Sequence, residues 1–204
     1  MKIAIIDYGM GNLASVQKAC VSFGAKAEVA AHPRGLEGAD KIILPGVGAF
    51  GEAMHQLERI GLAGAIKKKI REGILFLGIC LGMQLLFERS QESRSVKGLG
   101  ILKGKVVKFR GSGIKVPHIG WNEIYSDKPG HWKGTIFDKV ADKSDVYFVH
   151  SYILIPDKKE DILLSTKNGK CIRFPVSKLR IFQSRSSTGV RGIKLDKGNK
   201  VMAL

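Results

Sequence analysis

A mostly apolar run that ends in a Gly-x-Cys-x-Gly sequence constrains the fold of this 204-residue chain more than any other feature. The run covers residues 74–79, the glycine-flanked cysteine lies in residues 78–82 (GICLG), and the following GMQLLFE segment has helical periodicity. Flanking glycines are typical of a sharp strand-to-helix turn that exposes a nucleophile, because larger side chains do not fit there. The pattern predicts that Cys80 is a nucleophile whose thiolate is stabilised by the start of a helix. A buried structural cysteine is the alternative interpretation.

Short apolar runs alternate with helical patterns through the first 90 residues. The predicted strands cover residues 2–7, 27–31, 41–44 and 74–79, and the predicted helices cover residues 13–23, 50–57 and 62–71. Asn12 is a candidate N-cap and Gly24 a candidate C-cap of the first helix. This alternation predicts a parallel sheet that is buried on both faces. From about residue 100 the pattern changes to strands joined by turns, which we expect to extend the sheet with antiparallel edges.

A second glycine-rich turn, Pro45-Gly46-Val47-Gly48, follows the third predicted strand. Such a turn at the carboxyl end of a parallel strand can direct backbone N–H groups at a developing oxyanion, and the N–H of Leu81 is a second candidate donor. Taken alone, a Pro-Gly sequence is usually only a turn. Beside the cysteine motif it predicts one component of an acyl-transfer site.

Acyl transfer by a cysteine also needs a base, which is normally a histidine held by a carboxylate. Among the five histidines, His118 in VPHIGWN and His150 in VYFVHSY are the better candidates, although a structural or substrate-positioning role is favoured for each. His32, His55 and His131 lie in polar surroundings, and we expect all three to be solvated.

Cysteine spacing and hydropathy narrow the class of protein further. The three cysteines include no Cys-x-x-Cys pair, which predicts reduced thiols and no metal site. The longest apolar stretch, residues 73–87, is interrupted by Gln84 and is shorter than the roughly 20 residues that a membrane span needs. The amino-terminal segment lacks the long apolar region of a signal peptide. We therefore expect a cytoplasmic protein.

Positive charge is concentrated in the last fifth of the chain. The formal net charge is +16, and residues 161–204 contribute +8 of it, from ten Lys or Arg against two Asp. This shift in composition predicts a boundary near residue 160. A basic segment can bind nucleic acid weakly and without sequence specificity, although a solvated basic tail is the favoured interpretation.

Five motifs together resemble a known family. In chain order they are DYGMGNL (7–13), LPGVGAF (44–50), GICLGMQLLFE (78–88), VPHIGWN (116–122) and VYFVHSY (146–152). Their order and spacing closely resemble the glutaminase subunits of imidazole glycerol phosphate synthase, which are class I (triad) glutamine amidotransferases of histidine biosynthesis. The resemblance covers residue 1 to about residue 162. It implies an α/β fold, the three-layer class I glutamine amidotransferase fold with a mixed, mostly parallel sheet.

The resemblance also implies roles for individual residues. Cys80 would attack the glutamine carboxamide, and Gly48 and Leu81 would lie at the oxyanion hole. The glutamine pocket would be lined by Gly46, Gln84, Glu92, His150, Ser151 and Tyr152. Released ammonia would pass to a barrel cyclase partner in a heterodimer, docked near Trp121 and Asn122. The family resemblance implies no cofactor.

The carboxyl-terminal part departs from the family pattern. Family members end with a strand that carries His-Pro-Glu, the general base and its orienting carboxylate, and this tripeptide does not occur in the 204 residues. Residues from about 161 to 202 instead resemble one blade of the carboxyl-terminal, DNA-wrapping β-pinwheel of DNA gyrase. We therefore expect a chimera in which residues 1–162 form a truncated amidotransferase domain and residues 163–204 form a β-rich basic tail. The junction lies between about residues 158 and 170, and ILLSTK is expected to pair into the glutaminase sheet.

Three functions are compatible with this sequence. The chain can be a glutaminase that is severely impaired because it lacks the His-Pro-Glu base. It can dock the cyclase without turning over glutamine. It can also bind DNA weakly through its basic tail.

Overall fold

The computed structural model describes residues 1–109, 116–126 and 132–158, together with the backbone of Ser165–Thr166. The chain divides into two compact units. Unit 1 takes its described residues from Met1–Arg110 and Ser151–Ile162, and unit 2 takes its described residues from Gly111–His150 and Leu163–Leu204. Most of the predicted basic tail lies outside the described residues.

A four-stranded parallel sheet forms the centre of unit 1. In sheet order its strands are β2 (Lys26–Ala30), β1 (Lys2–Ile6), β3 (Lys41–Gly46) and β4 (Leu75–Cys80). The register places Gly46 opposite Cys80 at the carboxyl ends of the two strands. The predicted parallel sheet is therefore confirmed, and each strand ends within two residues of its predicted bounds.

Helices cover both faces of this sheet. They are α1 (Leu13–Ser22), a 3-10 turn (Pro33–Leu36), α2 (Phe50–Arg59), α3 (Leu62–Arg71) and α4 (Leu81–Gln84). Alternate residues of β1 pack into two different clusters: Ala4 and Ile6 lie with α2 and α3 residues, whereas Ile3 and Ile5 lie with α1 residues. Because successive strand residues point to opposite faces, helices pack on both sides of the sheet and unit 1 has three layers. Val29, Leu75 and Leu77 on the two outer strands stay exposed, so the prediction of burial on both faces is wrong for these strands.

The predicted ends of α1 are confirmed. The Asn12 side-chain oxygen accepts a hydrogen bond from the N–H of Ser15 (3.3 Å), which satisfies one of the amides left free at a helix start. Gly24 follows the C-cap residue Phe23 and has a φ of +77°, a conformation in which glycine avoids the steric cost of a β-carbon.

The helix predicted along GMQLLFE is wrong beyond its first turn. α4 ends at Gln84, and residues Phe87–Ser90 form strand β5 instead. Phe87 is 3% exposed and pairs with Leu102 of the next strand. Burial of this ring in the core and formation of the ladder outweigh the local helical preference, which is worth only tenths of a kcal/mol per residue.

The strands after residue 100 form two further sheets. In unit 1, β6 (Leu102–Lys108) pairs parallel with β5 and antiparallel with β9 (Tyr152–Pro156). In unit 2, β7 (His118–Tyr125) pairs antiparallel with β8 (Asp145–His150) and with β10 (Ser165–Thr166). The antiparallel strands were expected, and part of ILLSTK does pair with a strand.

The expectation that these strands extend the parallel sheet is wrong for the described residues. A parallel neighbour of β4 would need a crossover of about a dozen residues or more. The one turn of α4 is too short for that return, so the chain starts a separate sheet with β5.

In the described part of the chain, no helix is long and apolar enough to cross a membrane.

Candidate active site around Cys80

Cys80 ends β4 in a backbone conformation that non-glycine residues rarely adopt. Its φ is 54° and its ψ is −115°, and its side chain is exposed. Holding a residue with a β-carbon in such a region costs about 1–3 kcal/mol, and such strain clusters at functional sites. The exposure excludes the alternative of a buried structural cysteine.

Two glycines make room for the turn at Cys80. A β-carbon at Gly78 would lie 2.6 Å from the Cα of Met83, and a β-carbon at Gly82 would collide with the carbonyl oxygen of Leu44. Both collisions are with backbone atoms, which cannot rotate away. The steric reason for expecting glycine at these two positions is therefore confirmed.

The Pro45–Gly48 turn lies beside this motif. Gly46 is the last residue of β3, and a β-carbon there would lie 2.8 Å from the backbone nitrogen of Gly82. Gly48 is exposed and has a φ of +97°. Leu81 is buried and begins α4 directly after the nucleophile. The structure thus brings the two predicted donor segments to one edge of the sheet, and their role at an oxyanion stays a prediction.

Glu92 is hydrogen-bonded to the start of α2, the helix that follows this turn. Its carboxylate accepts a hydrogen bond from the N–H of Phe50, the first residue of α2, at 2.8 Å, and its own N–H donates to the Ser90 hydroxyl at 3.1 Å. The sequence analysis assigned Glu92 only to the glutamine pocket. Its capping role was missed because the two partners are 42 residues apart, beyond any local capping pattern.

The other predicted pocket residues of unit 1 are at least partly accessible. Gln84 is half-buried at the end of α4. Ser151 is half-buried, and its carbonyl oxygen accepts a hydrogen bond from the N–H of Phe109 at 2.8 Å. Tyr152 begins β9 and packs against the main core cluster of unit 1.

The two candidate bases contact each other in unit 2. His118 Nδ1 lies 2.9 Å from His150 Nε2, and the Asn122 amide nitrogen lies 2.7 Å from His118 Nε2. An amide nitrogen only donates, so His118 accepts at Nε2, carries its proton on Nδ1 and donates to His150. Burial, and then the neighbouring His150, lower the pKa of His118. The chain of bonds therefore holds the His118 ring neutral.

The predicted docking residues lie on opposite faces of β7. Trp121 is half-buried and packs edge to face with Tyr147, with ring centroids 5.4 Å apart. Asn122 is 7% exposed and its amide is used by His118. His32 and His55 are exposed, as predicted, and His131 lies outside the described residues.

Sequence reasoning missed Tyr8, which lies close to the nucleophile. Its side chain is 4% exposed, and its hydroxyl has no hydrogen-bond partner in the part of the chain that the structure describes. Burial, and then the charge of Cys80, raise the pKa of Tyr8 above its ordinary value. The motif DYGMGNL contained this residue, but nothing in the spacing connected it with Cys80.

Among the described residues, no group of three His, Cys, Asp or Glu side chains could hold a metal ion.

Two protein families match the chain. The family "Glutamine amidotransferase class-I" matches residues 4–180, and "DNA gyrase C-terminal domain, beta-propeller" matches residues 160–204. The first match covers most of the chain and includes every candidate site residue named above.

Curated relatives are similar over most of their length. Imidazole glycerol phosphate synthase subunit HisH of Moorella thermoacetica is 46% identical over 175 residues, which are 86% of this chain and 80% of the relative. The protein of the same name from Aquifex aeolicus is 45% identical over 171 residues, which are 83% of this chain and 80% of the relative.

Solved structures share the fold. A crystal structure of a glutamine amidotransferase superimposes with a TM-score of 0.62 at 16% identity and covers 79% of this chain and 78% of its own. The structure of PurLQS from Thermotoga maritima gives a TM-score of 0.61 at 19% identity and covers 81% of this chain and 74% of its own. At such identities the likeness concerns the fold alone.

Proposed function

The chain belongs to the class I glutamine amidotransferases, and we propose that it is the glutaminase subunit of an imidazole glycerol phosphate synthase of histidine biosynthesis. In this role it hydrolyses L-glutamine to glutamate and ammonia and passes the ammonia to a barrel cyclase in a heterodimer. Relatives of that name at 46% and 45% identity support the assignment, and the exposed, strained Cys80 is the observation that carries the chemistry.

The proposed reaction proceeds through a thioester on Cys80. The thiolate sulfur attacks the carboxamide carbon of glutamine, and the carbonyl π electrons move to oxygen to form an oxyanion. When this intermediate collapses, the C–N bond breaks and the nitrogen leaves as ammonia after it takes up a proton. Water then attacks the thioester, releases glutamate and restores the thiol.

The surrounding residues receive proposed roles from the family resemblance and, for the oxyanion hole, also from their positions. Backbone N–H groups at Gly48 and Leu81 stabilise the oxyanion, because both segments lie at the sheet edge that carries Cys80. Gly46, Gln84, Glu92, His150, Ser151 and Tyr152 are proposed to line the glutamine pocket. Trp121, with Asn122 behind it, is proposed to dock the cyclase, since its ring and that of Tyr147 form a partly exposed aromatic pair. We propose a cytoplasmic location for this biosynthetic reaction.

We propose that turnover is severely impaired. Protonation of the leaving nitrogen and activation of water both need a general acid or base, and the His-Pro-Glu sequence that supplies it in the family does not occur in the chain. Loss of one member of a catalytic triad commonly reduces kcat by several orders of magnitude. Acylation of Cys80 is less dependent on the base than the complete cycle, because a thiolate is already nucleophilic.

We further propose that the chain is a chimera, with an amidotransferase domain over residues 1–162 and a gyrase-like segment over residues 163–204. Matches to two families, over residues 4–180 and 160–204, support a composite chain, and the overlap of the two matches includes the proposed junction. The second family and the local charge of +8 also favour weak DNA binding as a second candidate function.

Glutamate release tests the proposed function most directly. The purified chain is incubated with glutamine, the barrel cyclase and its nucleotide ligand, beside a Cys80→Ala variant. We expect binding to the cyclase in both samples, and at most slow glutamate release that disappears in the variant. Measurable release that is equal in both samples would reject Cys80 as the nucleophile, and absence of cyclase binding would reject the proposed partner.

The second candidate function has its own test. Retention of a DNA duplex is measured at low and at physiological salt for the full chain and for a chain without residues 163–204. Weak, salt-sensitive retention that the deletion removes would support DNA binding by the tail. Retention that the deletion leaves unchanged would exclude it.

A further inference from the structure

The Tyr8 side chain lies beside Gly46, the residue that pairs with Cys80 in the parallel sheet. The register pairs Ile5 with Ile43 and Gly46 with Cys80. Tyr8 follows the end of β1 at Ile6, and its hydroxyl lies against Gly46, the residue that pairs with Cys80. Tyr8 and Cys80 are therefore near opposite sides of the last residue of β3.

Gly46 leaves the space that the Tyr8 side chain uses. A β-carbon at Gly46 would collide with the Tyr8 hydroxyl oxygen, and the same point lies 2.8 Å from the Gly82 nitrogen and 3.0 Å from the Leu81 β-carbon. The tyrosine ring thus reaches over the last residue of β3. Its hydroxyl lies among atoms of the residues that directly follow the nucleophile.

The hydroxyl is buried at this place without a partner among the residues that the structure describes. An unsatisfied buried hydroxyl is unfavourable for folding, and native proteins rarely keep one without a reason. A phenylalanine would fill the same space without the penalty. The Tyr8 hydroxyl is therefore an unsatisfied hydrogen-bond donor, which can bind an acceptor that forms at the site during the reaction.

We propose that Tyr8 is a positioning residue whose hydroxyl donates a hydrogen bond to the Cys80 sulfur when that sulfur is a thiolate. In this structure the hydroxyl makes no hydrogen bond to the Cys80 sulfur. Ionisation turns that sulfur from a weak acceptor into a strong one. This inference rests on the proposed role of Cys80 as a nucleophile. It does not require that the chain complete the glutaminase cycle.

The electrostatics of Tyr8 and Cys80 are consistent with the Tyr8 hydroxyl as the donor and the Cys80 sulfur as the acceptor. Burial, and then the negative charge of Cys80, raise the pKa of Tyr8, so the phenol keeps its proton when the thiol has lost its own.

The experiment measures the rate of alkylation of Cys80 by iodoacetamide from pH 6 to pH 10, in the full-length chain and in Tyr8→Phe. Labelling is followed on the Cys80 peptide by mass spectrometry, which separates it from Cys20 and Cys171. We expect the apparent pKa of Cys80 to rise by about one unit in the variant. Alkylation at pH 7 is then about tenfold slower, with an unchanged plateau at high pH.

Two further variants separate donation from packing. Tyr8→Leu also removes the ring, so it should slow alkylation at pH 7 as Tyr8→Phe does, but it should also lower the Tm, which Tyr8→Phe should not. Tyr125→Phe removes a hydroxyl from unit 2 and should leave the alkylation profile unchanged. A Tyr8→Phe profile that superimposes on that of the unmodified chain would overturn the inference. So would a profile that falls equally at all pH values.

The outcome is independent of the proposed function. Alkylation needs neither glutamine nor the cyclase, so a shifted profile supports the inference even in a chain that releases no glutamate. Conversely, a chain with Cys80-dependent glutamate release and an unshifted Tyr8→Phe profile keeps its function and loses this inference.

Discussion

A carboxylate oxygen of Glu92 accepts a hydrogen bond from the backbone N–H of Phe50 at 2.8 Å, across 42 residues of chain. Phe50 is the first residue of α2 and comes two residues after the Pro45–Gly48 turn. An acidic side chain at a helix start satisfies a free amide and interacts favourably with the helix dipole. This contact therefore fixes the end of the turn that we assign to the oxyanion hole.

Glu92→Ala should lower the free energy of unfolding by about 1 kcal/mol, because the cap on α2 is lost. Urea denaturation followed by far-UV circular dichroism measures the change. Glu58→Ala, at an exposed position near the other end of α2, serves as the matched control and should stay within about 0.5 kcal/mol of the unmodified chain. Equal urea midpoints for all three proteins would contradict the capping role.

Gly82→Ala should destabilise the chain by at least about 2 kcal/mol, because its β-carbon collides with the Leu44 carbonyl oxygen of the neighbouring strand. The same glycine-to-alanine change at Gly64, inside α3, meets no atom within 4 Å. It should stabilise the helix by about 0.5–1 kcal/mol. Thermal denaturation of both variants tests the pair, and a similar shift for both would reject the steric argument.

Gly46→Ala should be destabilising in part through the Tyr8 hydroxyl. Since Tyr8→Phe removes the oxygen that the new β-carbon meets, the cost of Gly46→Ala should fall by about 1 kcal/mol in the Tyr8→Phe background. Urea denaturation of the four proteins of this double-mutant cycle gives the coupling. Strict additivity of the two single changes would show that the hydroxyl does not occupy this space.

The His118–His150 pair should make stability depend on pH. The pKa of His118 is lowered in the folded chain, so between its ordinary value near 6.5 and the lower folded value the unfolded chain binds more protons. The free energy of unfolding is then highest above about pH 6.5. As the pH decreases below about 6.5, the free energy of unfolding decreases by at most about 1.4 kcal/mol per pH unit.

Thermal denaturation at pH 5.0 to 7.5 checks this dependence. His118→Gln should reduce the Tm at pH 7.5 and flatten the Tm profile between pH 5.0 and 6.5. His55→Gln, at an exposed histidine of α2, should leave the profile as it is. A decline in Tm that His118→Gln leaves as steep as before would assign the dependence to other groups.

The sequence was sufficient for the parallel sheet and for the cysteine turn. Both follow from local rules: alternating runs specify β1 to β4 with the helices α1 to α3, and the two glycines beside Cys80 are required by backbone contacts. The length of α4 could not be predicted in this way. Its end depends on Phe87, which prefers a distant strand partner and the core to one more helical turn.

The candidate site was only partly predictable for a related reason. Motifs reveal residues whose neighbours in the chain are diagnostic, such as Cys80 and the Pro45–Gly48 turn. The contacts of Glu92 with Phe50 and of His118 with His150 join residues 42 and 32 positions apart, and the Tyr8 hydroxyl depends on three strands coming together. Such relationships arise only from the folded topology.

The positive φ of Cys80 favours one particular substitution when the thiol is no longer needed. Glycine is the one residue that adopts a φ of 54° without the cost of a β-carbon, so Cys80→Gly would relieve backbone strain while it removes the thiol. In a lineage released from selection for thiol chemistry, substitution towards glycine at this position is therefore favoured by stability. Among descendants of this chain, a persistent cysteine would record continued selection for its sulfur, and a glycine would record the end of that selection.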